Sequence, residues 1–166
     1  PQRFMNKTLE TFSARDRIRK ELLRNAELYV NQFNLSRPGE CDRGLLMIGS
    51  VGCGKTHLAI AILQRIIEKG YTGLYYNSPN LLRDIRATFD ESSTLTEDDL
   101  LEEVTTTDLL VFDDVGAENS TQFVLDRFYL IINERYEGGK PIIVTTNLDQ
   151  GALENRLGSR IVSRLL

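Results

Sequence analysis

Apolar residues recur along this chain with two different periods, and the change of period divides it. In residues 17–33, Ile18, Leu22, Ala26, Tyr29, Val30 and Phe33 follow at spacings of three and four, which gathers them on one helical face. Ser13 or Asp16 would cap the start of that helix. Residues 1–12 show no period and read as irregular. Residues 34–43 contain Ser-Arg-Pro-Gly and read as a loop. From Gly44 onward, short apolar runs alternate with helical patterns. Residues 44–49, 73–77, 109–113 and 141–146 are almost free of charge, as expected of strands buried on both faces of a parallel sheet. Between them the pattern predicts helices over 56–69, 79–89, 96–104 and 121–137. Gly70 ends the first. Ser78 is the expected N-cap of the second, with Pro79 at its first position. Thr96 and Asp99 open the third as a capping box with Asp in place of Glu. The fourth follows Ser120 and stops at Gly138-Gly139. Strand–helix alternation predicts right-handed crossovers and a three-layer α/β/α sandwich on a mostly parallel sheet. Residues 1–43 are then a linker and helix packed on a core over 44–166, one structural domain in all.

Size and composition agree. A chain of 166 residues with 41% hydrophobic and 27% charged residues is an ordinary globular domain that needs no disulfides. No apolar run reaches the ~18 residues of a membrane span. The start, Pro1-Gln2-Arg3-Phe4, has neither a Met nor a signal-peptide pattern, so a processed fragment and a cytoplasmic location are expected. Cys41, Cys53 and the single His57 make no zinc framework. The net charge of −4 conceals basic ends and an acidic middle: +3 over residues 1–43, −4 over 44–104, −4 over 105–148 and +1 over 149–166. This excludes a nucleic-acid binder that is basic over its whole surface, though not a local basic stripe.

The chemistry is concentrated at the ends of the expected strands. Gly49-Ser50-Val51-Gly52-Cys53-Gly54-Lys55-Thr56 fits G-x-x-x-x-G-K-[ST], with an apolar strand before it and a helix after it, the context in which glycines let backbone N–H groups surround a polyphosphate. Lys55 is placed for the β- and γ-phosphates of ATP or for ADP, and Thr56 for a magnesium ion. Four apolar residues then run into Asp113 and Asp114. Asp113 is the expected second holder of Mg2+, and Asp114 the base for a water attacking the γ-phosphate. Asp is one methylene shorter than the Glu common at that second position, so turnover is expected to be slow; Glu118 is a possible supplement. The strand over 141–146 closes in Asn147, a candidate partner for the attacking water or γ-phosphate. Arg156, Arg160 and Arg164 are spaced by four. Gly158 interrupts them, so only Arg160 and Arg164 are expected to share a face. An arginine supplied to a neighbouring subunit's site is the functional reading.

These motifs in this order resemble the AAA+ ATPases, and within them the group of helicase loaders and IstB transposition helpers. The residues that carry the resemblance are Gly49–Thr56 with His57-Leu58-Ala59, Phe112-Asp113-Asp114-Val115-Gly116-Ala117-Glu118, Ile132-Asn133-Glu134-Arg135-Tyr136, Thr145-Thr146-Asn147, and Arg160 through Leu165. It covers roughly residues 40–166, with a weaker echo in residues 4–12, a short aromatic segment expected near the adenine. The resemblance implies Walker A at Gly49–Thr56, with His57 beside it, Walker B at Asp113 and Asp114, sensor 1 at Asn147 and an arginine finger at Arg164, with Arg160 the second candidate. It also implies ATP-dependent self-association and a replicative DNA helicase as partner, contacted through an N-terminal region that this sequence lacks; a C-terminal strand and lid are likewise expected to be missing. Binding of single-stranded DNA is expected through the helix over 79–89. There Arg83, Arg86 and Phe89 lie at spacing three and offer two phosphate contacts and a stacking ring. The competing reading of that helix puts Leu81, Leu82, Ile85 and Phe89 in the core and leaves two solvated arginines.

The leading expectation is therefore an ATP-switched helicase loader that binds single-stranded DNA, with a transposition helper as the alternative. A small-molecule P-loop kinase is disfavoured by the lack of an arginine-rich phosphate lid. A nucleotide-gated adaptor with negligible turnover is kept open by Asp114.

Overall fold

A computed structural model describes residue 4 and residues 6–35, 44–90, 93–117 and 121–165. The elements run α1 (Arg17–Gln32), β1 (Leu45–Ile48), α2 (Lys55–Glu68), β2 (Gly73–Asn77), α3 (Ser78–Ala87), α4 (Glu97–Thr106), β3 (Leu109–Asp113), α5 (Gln122–Glu137), β4 (Ile142–Thr146), α6 (Gln150–Leu157) and α7 (Ser159–Val162). All four strands are parallel, in the order β1-β4-β3-β2. The acidic strand β3 is thus not next to β1; β4 lies between them, and Leu45–Ile48 of β1 register with Ile143–Thr146 of β4.

Two apolar clusters fill the two faces of the sheet, because successive strand residues point to opposite sides. Leu110, Phe112, Ile142 and Val144 face α3, α4, α5, α6 and α7. Leu109, Val111 and Ile143 face α1, α2 and the segment around Leu9 and Phe12. This is the three-layer arrangement the alternation predicts. Burial on both faces holds only for the central strands β3 and β4, every residue of which is buried. The edge strands β1 and β2 are only partly covered.

Helix starts follow side-chain chemistry. Asp16 caps α1 through the Arg19 N–H at 2.8 Å. Thr96 and Asp99 close the capping box of α4 reciprocally. At α5 the cap is Thr121, which accepts from the Val124 N–H; Ser120 falls outside the described residues, as do Cys41 and Glu118. One expected cap is displaced: Asn77 occupies the N-cap of α3, and Ser78 is its first, fully buried residue. The chain passes from β2 into α3 without a loop, so the cap position falls on the last strand residue.

Arg135 of α5 fastens the end of the sheet remote from the phosphate loop. Its side chain is wholly buried. Nη1 donates to the carbonyls of Val104, Thr105 and Thr107, and Nη2 to those of Asp108 and Pro141. Two of these are carbonyls of the last turn of α4, which have no partner within the helix. Burial pushes the guanidinium pKa down to about 10, so it stays charged at neutral pH.

Candidate nucleotide site

The site lies where β1, β4 and β3 end. β3 and β4 deliver a polar residue immediately after their last apolar one, β1 runs into the glycine loop, and the crossovers carry the chain away over the faces. After β1 the chain turns through Gly52 at φ +78° and Gly54 at φ +104°, left-handed conformations that cost glycine little. A Cβ at Gly54 would also come within 2.8 Å of the Phe12 ring. No side chain caps the N-terminus of α2, which leaves its first N–H groups for an anion. The adjoining cavity, about 410 Å³, is lined by the loop, Lys7, His57, Asn77, Asp113, Asp114, Thr145 and Asn147.

Lys55 arches back over the loop. Its Nζ donates to the Gly49 and Ser50 carbonyls at 2.8 and 3.0 Å and to Asn147 Oδ1 at 2.7 Å. The other end of the Asn147 amide, Nδ2, donates to Asp114 Oδ1 at 2.8 Å. One amide therefore joins the phosphate-loop cation to the candidate base. Asp114 has φ +59° and is the one non-glycine residue with positive φ among the described residues. Asp tolerates this left-handed conformation better than most side chains. Its N–H is held by Thr145 Oγ1 at 3.0 Å.

Asp113 is 4% exposed. Its Oδ1 accepts from Thr56 Oγ1 at 2.8 Å and from Thr145 Oγ1 at 2.6 Å, and its Oδ2 accepts from the Tyr75 hydroxyl at 2.7 Å. A hydroxyl and a carboxylate in contact beside an open helix N-terminus are the hard oxygen donors magnesium takes. No group of three or more His, Cys, Asp or Glu that could hold a metal occurs among the described residues. Magnesium ordinarily takes one or two protein oxygens together with phosphate oxygens and water.

The structure thus brings Lys55, Thr56, Asp113, Asp114 and Asn147 together. Val51 is 84% exposed at the loop tip, while Cys53 faces an apolar cavity on the other side of the loop with Phe12, Ala26 and Leu58. His57 lines the phosphate cavity, and its Nε2 lies 2.9 Å from the Thr8 carbonyl and 3.3 Å from Thr11 Oγ1. It pins residues 6–12 across α2, where Phe12 packs edge-on against its ring and Gln64 donates to the Phe4 carbonyl. Tyr75 and Lys7 carry no expectation from the sequence, and Thr145 enters there only as part of the Thr145-Thr146-Asn147 run, with no role of its own. The Thr-Thr pair closing an apolar strand was a usable signal for Thr145; nothing local marked Tyr75 or Lys7.

The remaining candidates lie elsewhere. Arg160 and Arg164 do share a face, stacked on Tyr129, with Arg164 also over Tyr136. Gly158, at φ +88°, separates α6 from α7. Arg164 lines a cavity with Gly44, Pro141 and Ile142, residues that precede or begin β1 and β4, so it sits at the opposite end of the sheet from its own phosphate loop. On α3, Leu81, Leu82 and Ile85 are buried but Phe89 is 57% exposed, which corrects its placement in the core. Phe89 packs edge-on to Phe123, whose ring also carries Arg86 and Arg127. Arg83 is exposed and paired with Asp84.

A parallel α/β/α sheet whose strand ends assemble a phosphate loop, an Asp-Asp pair and a polar sensor defines a P-loop nucleotide-binding protein of the AAA+ type. The chain belongs to the IstB-like ATP binding protein family, which matches residues 39–165. It is 27% identical over 162 residues to the replicative helicase loader DnaC of Buchnera aphidicola subsp. Schizaphis graminum, an alignment covering 98% of this chain and 64% of that protein. The chain therefore spans less than two thirds of that relative. A crystal structure of the DnaC helicase loader superposes with a TM-score of 0.86 at 32% identity, covering 99% of this chain and 94% of that one. The crystal structure of DnaI gives 0.84 at 26% identity, with coverages of 99% and 89%. No helix among the described residues is long and apolar enough to cross a membrane.

Proposed function

We propose that the protein is the ATP-binding and slowly hydrolysing core of a DNA replication helicase loader, using Mg2+ held by Thr56 and Asp113. The observation that carries this is the amide of Asn147, bonded at once to Lys55 and Asp114. Three motif residues from three separate elements meet where a γ-phosphate and its attacking water would lie. Lys55 and the α2 N-terminus neutralise the phosphates. Asp114 takes the proton of the water as its oxygen bonds to the γ-phosphorus and the bridge to ADP breaks. Asn147 orients both. Arg164, remote from its own phosphate loop, acts on a neighbour's site in an ATP-dependent oligomer, with Arg160 as second candidate. Single-stranded DNA is contacted by the exposed Arg86 and Phe89, with Arg83 beside them. The likeness to DnaC loaders supports a replicative helicase as partner and a cytoplasmic setting. The IstB name of the family supports the alternative, a transposition helper; the partner that co-purifies with the protein separates the two.

The test mixes two inactive variants. Lys55→Ala subunits keep the finger and lose the site; Arg164→Ala subunits keep the site and lose the finger. A mixed assembly on single-stranded DNA should recover turnover that neither variant shows alone, because the finger stabilises transition-state charge only across an interface. If the mixed assembly forms and stays as inactive as its parts, Arg164 is not a finger in trans. Unchanged binding of a fluorescent ATP analogue by Lys55→Ala would defeat the nucleotide site itself; a loss of at least ~10-fold in affinity is expected.

A further inference from the structure

The carboxylate of Asp113 has both oxygens engaged, and by donors of two kinds. Thr56 and Thr145 meet at Oδ1. Both belong to the phosphate site: Thr56 follows Lys55, and Thr145 also holds the Asp114 N–H. The donor to Oδ2 comes from outside that set. It is the hydroxyl of Tyr75, at 2.7 Å, from the middle of the edge strand β2. There Tyr75 registers with Val111, two residues before Asp113 on the neighbouring strand. A phenol reaching diagonally across a parallel pair needs its ring held, and it is: Phe4 packs edge-on against it with centroids 4.8 Å apart. Phe4 is itself buried and fixed through its carbonyl to Gln64.

We propose that Tyr75 is a positioning residue for the magnesium ion, a reading that rests on the nucleotide site described above. A carboxylate with one oxygen free can rotate about its Cβ–Cγ bond and present either oxygen. With Oδ2 tied by Tyr75 and Oδ1 shared by Thr56 and Thr145, the carboxylate is held in one orientation, Oδ1 toward Thr56, where a magnesium ion would be held. Tyr75 is not among the residues that line the phosphate-loop cavity. It acts through Asp113, and Phe4 acts on it in turn. Partners that orient a ligating carboxylate in this way typically change metal affinity by about 10–100-fold when removed.

The test separates metal from nucleotide. Tyr75→Phe keeps the ring and its contact with Phe4 and deletes only the hydroxyl. Binding of a fluorescent ATP analogue is titrated first in EDTA and then at fixed nucleotide against Mg2+. Direct Mn2+ binding to the nucleotide complex, read by electron paramagnetic resonance, accompanies it. Tyr75→Phe should match the wild type in EDTA and need about tenfold more Mg2+ or Mn2+ for half-saturation. Superimposable metal titrations would overturn the proposal. So would an equal loss of affinity in EDTA, since the hydroxyl would then support the fold or the phosphate loop generally. Lys55→Ala in the same series keeps the two claims apart. If it binds as the wild type does in EDTA, the underlying nucleotide reading fails, whatever Tyr75 does.

Discussion

Replacing Arg135 by Met deletes the guanidinium that ties α4, β3 and β4 together while keeping an unbranched apolar stem in its place. Three of its five bonds are short: 2.9 Å to Val104 O, 2.9 Å to Thr107 O and 2.6 Å to Pro141 O. All three acceptors belong to buried residues. Each stranded carbonyl costs about 1–3 kcal/mol, so the gross loss is about 3–9 kcal/mol. Two effects reduce it. The charge is itself penalised by burial, as its lowered pKa records, and water can reach the freed carbonyls from the cavity that Arg135 lines with Tyr136 and Lys140. A net destabilisation of about 3 kcal/mol is expected. In urea unfolding followed by circular dichroism, with a slope of about 2 kcal/mol per molar, the midpoint should fall by about 1.5 M. Arg135→Lys should lie between the two, because an ammonium has no fork with which to span the same carbonyls. A midpoint for Arg135→Met within about 0.3 M of the wild type, at an unchanged slope, would refute the idea that these bonds hold the sheet end together.

Asp114→Asn should retain fold and ATP binding, since Asn accepts a left-handed backbone as Asp does. It should lose about 10²–10⁴-fold in turnover measured as phosphate release, and a wild-type rate would place the base elsewhere, with Glu118 the next residue to replace. The combined change Arg83→Ala and Arg86→Ala should weaken single-stranded DNA binding and flatten its dependence on salt, because fewer counterions are released; identical salt series would remove α3 from the DNA surface. Burial alone would raise the Asp108 pKa, but hydrogen bonds from Lys140 and Thr72 outweigh it and hold the carboxyl below its ordinary value. A depressed carboxylate pKa adds stability above the unfolded value of about 3.9 and loses it as pH falls through the folded one. Wild type should therefore exceed Asp108→Asn in stability at pH 7, and the gap should close in denaturation series taken below about pH 4.

Two strand ends are readable in the sequence because apolar runs there change abruptly to charge or hydroxyl: β2 and β3 have the bounds the pattern predicts, Asp113, Asp114 and Asn147 lie at or just past such changes, and Lys55 and Thr56 are marked instead by the spacing of the glycine loop. What escaped reading depends on pairing across the chain. The position of β4 between β1 and β3 is a matter of topology, and it brings Thr145 to both acids. Tyr75 looks like any strand aromatic until β2 is laid beside β3. Residues 6–12 have no period of their own because their order comes from docking on α2, through Leu9 and Phe12, beside the Phe4 carbonyl held by Gln64. Phe89 sits on the same helical stripe as Leu81 and Ile85. It ends up exposed because α3 stops at Ala87, before the stripe completes another turn.

The left-handed backbone at Asp114 restricts how this site can change by single substitutions. A β-carbon there costs about 1–2 kcal/mol for most residues, and short side chains that bond locally, Asp and Asn, are the ones that lessen it. Exchange to Glu would lose that relief and carry the carboxylate past the Asn147 amide that now orients it. Exchange to Asn or Gly suits the backbone and deletes the acid. The single steps easiest for the fold thus lead away from an acid at this position. Exchange to the longer acid carries that cost of about 1–2 kcal/mol in full.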